Sequence, residues 1–211
     1  MTSVVTRLYD DYDDAVDAVI AVCNAGVPAD DVSLVANNAE DRLAGRTLPD
    51  KVEHRSNAAE GAGAGAGIGG VLGGGAGLLA GLGMLAIPGL GPVVAAGWLA
   101  ATAAGAAAGA AAGAAAGGIV GALTSSGVDE ADAHVYAEGL RRGGTLVTVR
   151  TSSLDAAEVE QVLDRHDPVD PRTRGSAYRD AGWTRFDEAA PPYTAAEIER
   201  DRDLYRHPGA L

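Results

Sequence analysis

Polar and apolar positions come in pairs through residues 2–9, TSVVTRLY, and the β-branched and aromatic side chains there predict a strand. The pattern then changes. Asp10 and Asp11 supply an acidic start, and Ala15, Val16, Val19, Ile20 and Cys23 recur at helical spacing, so a helix is predicted over 12–25, closed by Gly26 and Pro28. Residues 31–36, DVSLVA, read as a second short strand, which makes the opening a β-α-β unit. From 37 to 57 the chain is polar and broken by Pro49, a loop or linker. Regular patterning returns at 128. A helix is predicted over 129–142, with Ala133, Tyr136, Ala137 and Leu140 inward and Arg141 and Arg142 at its negative end. TLVTVRT, residues 145–151, is a strand, and 155–166 is a second amphipathic helix with Ala156, Val159, Val162 and Leu163 inward and Ser152 or Ser153 as its cap. Beyond Pro168, Val169 marks a brief last strand, 194–205 a short charged helix, and Tyr178, Trp183, Phe186 and Tyr193 give the tail the means to wrap the domain.

Between the two patterned halves the chain changes character, with no Asp, Glu, Lys, Arg or His from 61 to 128. A four-residue repeat runs through it: Gly61, Gly65, Gly69, Gly73, Gly77 and Gly81, then, after IPGLGP, Gly97, Ala101, Gly105, Gly109, Gly113, Gly117 and Gly121. Two such ladders about a Gly/Pro turn predict an antiparallel helical hairpin with arms over 61–86 and 92–124. Glycine at every fourth position lays a stripe along a helix on which a second backbone can approach closely. Because four residues overshoot a full turn by roughly 40°, the stripe winds and favours packing on several sides. Each interior glycine costs about 1 kcal/mol relative to alanine, so such an arm needs protein or lipid around it. As helices the arms would reach about 39 Å and about 50 Å, enough for the roughly 30 Å apolar core of a bilayer. The large apolar residues cluster near the turn, which predicts an inserted tip and a Gly/Ala stem held by other copies of the chain.

Composition narrows the function. A formal charge of −13, with Lys51 the only lysine, argues against sequence-independent nucleic-acid binding and simple adhesion to anionic lipid. Cys23 stands alone, so no intrachain disulfide forms, and MTSVVTRLYDDYDD has neither the basic start nor the apolar run of a secretory signal. The pattern GxGxxG at 65–70 follows a polar loop rather than a strand and arises readily in glycine-rich sequence, so no nucleotide site is assigned. His54, His134, His166 and His207 are scattered; His134 and Glu138 are placed on one helix face as a solvated contact. The Asp10-Asp11-Tyr12-Asp13-Asp14 run reads as capping, and Ser125 and Ser126 as a helix end. No constellation nominates a catalytic residue, a metal or a cofactor, and the chain is expected not to be an enzyme.

The segments DDYDDAVDAVIAVCNAGVPADDVSLV, SGVDEADAHVYAEGLRRGGTLVTVRT and AGWTRFDEAAPPYTAAEIERDR resemble the bacterial heat-induced general stress protein family with its YflT-like domain. The resemblance implies an α+β, ferredoxin-like βαβ sandwich, cytoplasmic and linked to stress, with no catalytic residues to carry over. The expected layout is a first half-domain at 1–56, a glycine-zipper helical hairpin at 57–127, a second half-domain at 128–170 and a C-terminal tail at 171–211. The expected function is self-association into a homo-oligomer through the glycine ladders, in or on the membrane, with the acidic domains on its cytoplasmic side. The alternatives are a soluble oligomer with the hairpins at its core, or a small-ligand sensor.

Overall fold

The computed structural model describes residues 3–44, 83–99, 102–103, 118–151 and 156–206. It is α+β, built on one five-stranded antiparallel sheet in the order β1-β5-β2-β4-β3. The strands are β1 (Ser3–Tyr9), β2 (Val32–Asn37), β3 (Gly83–Ile87), β4 (Gly91–Ala96) and β5 (Thr145–Thr151), and the helices are α1 (Tyr12–Asn24), α2 (Gly118–Ser125), α3 (Glu130–Arg141), α4 (Ala156–Leu163), α5 (Pro171–Asp180) and α6 (Ala195–Arg206).

The opening β-α-β unit forms as the sequence predicts. Asp11 caps α1 by accepting from the Asp13 amide at 3.1 Å, and Gly26, at φ +107°, lets the chain turn away. The buried face of α1 is Tyr12, Ala15, Val16, Ala18, Val19 and Val22, with Ile20 and Cys23 at its margin. β1 and β2 do not pair with each other. β5 lies between them, antiparallel to both, with Val5 opposite Val149 and Leu34 opposite Val147.

Alternation in the central strands feeds two cores. Val32, Leu34, Ala36, Val147 and Val149 face α1 together with Val159 and Leu163 of α4. Val35 and Leu146 face the other way, onto Ile119 and Leu123 of α2 and Ala133, Tyr136 and Leu140 of α3. With both faces covered, β2 and β5 are buried at every position except Arg150. A ferredoxin-like sandwich carries its helices on one face of the sheet, whereas here helices cover both, so α+β is the level at which the class stands.

The largest correction falls inside the expected helical hairpin at 57–127. Residues Gly83–Ile87 and Gly91–Ala96 are strands, and IPGLGP is the turn between them, with Gly89 and Gly91 at φ +75° and +78°. The reason is tertiary. β2 would otherwise expose a row of unpaired amides and carbonyls beside an apolar core, and β4 satisfies them by pairing Leu34 with Ala96 through Asn37 with Val93. Ile87, Leu90, Val93 and Leu99, expected near an inserted tip, are buried in the second core instead. Gly97 is correspondingly not a helix-packing residue: at φ +90° it lies against β2, where a Cβ would strike the Val32 carbonyl and the Ser33 backbone. Gly121 is helical, in α2, whose end is closed by the Ser125 and Ser126 hydroxyls donating to the Ala122 carbonyl at 3.0 and 2.7 Å. Gly61, Gly65, Gly69, Gly73, Gly77, Gly81, Gly105, Gly109, Gly113 and Gly117 lie outside the described residues, as do the 65–70 pattern, His54, His207, Ser152 and Ser153.

The tail is part of the fold. Val169 bridges to Leu8, as expected, and α5, which the polar pattern does not announce, is capped by Asp170 accepting from the Thr173 amide at 2.7 Å, with Pro171 in its first turn. Phe186 and Ile198 are buried against the body.

Candidate functional site

Two features of the described surface concentrate charge, and both lie where the tail meets α3. The first is a clamp at the C-terminal end of α3. Glu138 is fully buried, and its Oε1 accepts from Arg141 at 2.8 Å and from Arg142 at 2.7 Å. Arg142 also reaches Asp201 of α6 at 2.9 Å and lies 4.3 Å from the centre of the Tyr178 ring, while Arg141 lies over Tyr193 at 5.2 Å. Burial works against the charge on Arg142, yet the Glu138 hydrogen bond and the neighbouring carboxylates outweigh it and raise its pKa. Burial raises Asp201 above the ordinary carboxyl range despite the pull of Arg142. Arg174 of α5 closes a second contact, a bidentate pair with Asp10 at 2.8 and 2.6 Å, and Arg202 donates to the Asp10 carbonyl. These groups bond to one another rather than to an open space, so their chemistry is docking of the tail. Glu138, expected beside His134 on a solvated face, belongs to this buried clamp.

The second feature is a groove of about 460 Å³ between the first turns of α3 and the segment that leaves α5. Asp129, Glu130, Ala131 and His134 form one wall, and Arg179, Trp183, Thr184 and Arg185 the other. The α3 wall is built by its cap: Asp129 accepts from the Ala131 amide at 2.9 Å, and His134 Nε2 stands 4.0 Å from Glu130 one turn earlier. The opposite wall is built by a reversal of the chain. Gly182, at φ +89°, turns it back, the Trp183 amide donates to the Tyr178 carbonyl at 2.9 Å, and the two rings pack edge to face at 5.6 Å. Among the described residues neither Arg179 nor Arg185 has an ion-pair partner, although the chain carries a formal charge of −13. Of these eight residues the sequence pattern picks out His134, Trp183 as a tail aromatic, and Asp129 and Glu130 as the acidic first turn of a helix, none of them as part of a groove. The groove becomes legible only once α5 and the reversal after it place the tail against α3.

Elsewhere the chemistry is quiet. Cys23 is partly buried, and burial pushes its thiol up to about 11, which keeps it protonated at neutral pH. Among the described residues there is no group of three metal-ligating side chains, and no helix is long and apolar enough to cross a membrane. Comparison with protein-family models, with curated proteins and with solved structures finds no match to this chain.

Proposed function

We propose that this chain is a non-enzymatic, stress-associated protein that assembles with copies of itself through its glycine ladders, displaying the acidic α+β domains around the contact on the cytoplasmic side. The observation that carries the reading is the four-residue glycine register itself, uninterrupted by charge through the two segments that flank the edge hairpin. One, 61–82, runs directly into β3, the edge strand of the sheet; the other, 104–117, joins the helical turn after β4 to α2. Side chains absent from every fourth position favour close backbone packing, and a winding stripe favours more than one neighbour. The placing of β5 between β1 and β2 is the feature this sheet has in common with the expected ferredoxin-like unit, and the link to stress rests on the resemblance of the sequence segments alone.

A specific observation weighs between the membrane and the soluble forms of this assembly. With Ile87, Leu90, Val93 and Leu99 taken into the core, part of the apolar tip lies inside the domain, which favours ladders packed against protein in a soluble homo-oligomer. Membrane association is the other reading, because residues 61–82, ahead of β3, match the roughly 20 residues a bilayer-spanning helix needs.

Gly73→Leu and Gly109→Leu test the proposal. Each is expected to lower the oligomeric mass measured by light scattering without changing the circular dichroism of the domain, and unchanged mass in both variants overturns self-assembly through the ladders. Carbonate-washed membranes decide between the two settings: retention establishes insertion, and a uniform soluble particle establishes the protein core.

A further inference from the structure

We propose that the groove between α3 and the segment following α5 binds a small zwitterion of the amino-acid class, with the carboxylate held by Arg179 and Arg185 and the ammonium by Asp129 and Glu130. This reading is independent of assembly through the ladders.

The argument rests on how charge is divided across the groove. Its two walls come from different elements and have opposite sign: Asp129 and Glu130 belong to the first turn of α3, Arg179 and Arg185 to the end of α5 and the turn beyond it. Were the four charges paired across the gap, the groove would simply be a salt-bridged seam. They are not. Asp129 is turned onto the Ala131 amide, Glu130 stands 4.0 Å from His134, and both arginines lack an ion-pair partner among the described residues. The walls line one open groove, yet among the described residues no ion pair within 4.0 Å crosses it, an arrangement that suits a dipolar ligand lying between them. A plain anion would face Asp129 and Glu130, and a plain cation would face two guanidinium groups; a zwitterion meets neither penalty.

Size and shape agree. A volume of about 460 Å³ lies within the range of small-molecule sites, at its lower end. Trp183, held edge to face by Tyr178, supplies an apolar surface beside the charges, and Thr184 lines the arginine wall. The cavity thus suits an amino acid with an apolar or aromatic side chain. Because one wall belongs to the body and the other to the tail, such a ligand also ties the two together.

The test is a titration of the full-length protein with three probes that share a phenyl group: L-phenylalanine, 3-phenylpropionate, which keeps only the carboxylate, and phenethylamine, which keeps only the ammonium. Nitrogen–proton NMR reads the Trp183 indole and the Ala131 and His134 amides. Saturable shifts with L-phenylalanine are expected, at least roughly tenfold weaker binding of the two single-charge probes, and loss of the L-phenylalanine shifts in Arg179→Gln/Arg185→Gln, whose exposed positions leave the remaining spectrum intact. No saturable shift with L-phenylalanine, equal binding of all three probes, or 3-phenylpropionate binding as tightly as L-phenylalanine overturns the proposal.

Discussion

At Gly97 a single hydrogen in place of a side chain decides whether β4 can run alongside the start of β2. A Cβ there meets the Val32 carbonyl and the Ser33 backbone, at a φ of +90° that side chains rarely adopt. Gly97→Ala is therefore expected to cost about 2 kcal/mol or more, seen as a lower denaturation midpoint, with no change in oligomeric mass. That outcome separates a glycine kept for the fold of one chain from those proposed to join copies. Tyr136 shows the same residue-level logic in electrostatics. Its hydroxyl donates to the Thr6 carbonyl at 3.3 Å, and burial pushes its pKa up from 10.0 to about 12. Below pH 10 the phenol is neutral folded and unfolded, and the stability it gives is intact. As pH rises from 10 to 12 the unfolded chain ionises first and stability is lost, a loss that Tyr136→Phe is expected to reduce in alkaline denaturation followed by circular dichroism. Glu138 is a costly charge to neutralise. Buried between Arg141 and Arg142, it is expected to lose about 3–5 kcal/mol of stability on Glu138→Gln, measured by urea unfolding, because two buried guanidinium groups then lack their shared counter-charge.

At the scale of elements, α6 shows what holds a charged helix onto the body. The pattern of AAEIERDRDLYR offers one apolar residue in its first turns, Ile198, which is fully buried, and its side chain fills the space that a Cβ on Gly143 would take. Arg142 and Asp201 add a partly buried pair at 2.9 Å, but burial of the carboxylate offsets much of its gain and Arg142 keeps Glu138 when Asp201 is removed. Ile198→Ala is accordingly expected to cost about 2–4 kcal/mol and Asp201→Asn less than about 1 kcal/mol, compared by urea unfolding of the two variants. The β3–β4 hairpin makes the converse point. Its sequence, GMLAIPGLGPVVAA, is apolar at nearly every position and carries no decisive period, so its state follows from what it can pair with. β2 offers an open edge, and the strand is the answer.

For the whole molecule, the tail closes the structure. Arg174 ties α5 to Asp10, Arg202 ties α6 to the Asp10 carbonyl, and Phe186 enters the second core. A chain ending at residue 170 loses these contacts together and uncovers the buried clamp on α3. It is expected to unfold with a broadened, non-cooperative transition and to bind a hydrophobic dye that the full chain excludes. The acidic surface, at −13, adds repulsion that salt screens, which the docked arginines partly relieve in the full chain.

Much of this protein is legible along the chain itself. β1, β2 and β5 follow from their β-branched and aromatic residues, and α1, α3, α4 and α6 from a 3.6 period and their capping residues, regardless of what lies opposite. Asp11 at the start of α1 and Ser125 and Ser126 at the end of α2 act where their spacing places them. Only the tertiary structure decided the rest. Residues 83–96 became strands because β2 had backbone groups to satisfy, Gly97 became a packing residue because β4 lies on β2, and helices covered both faces of the sheet. The groove joins Asp129 and Glu130 to Arg179 and Arg185, residues about fifty positions apart whose meeting no local spacing encodes. Period and capping are properties of neighbours in sequence; unpaired sheet edges and opposed charges are properties of neighbours in space.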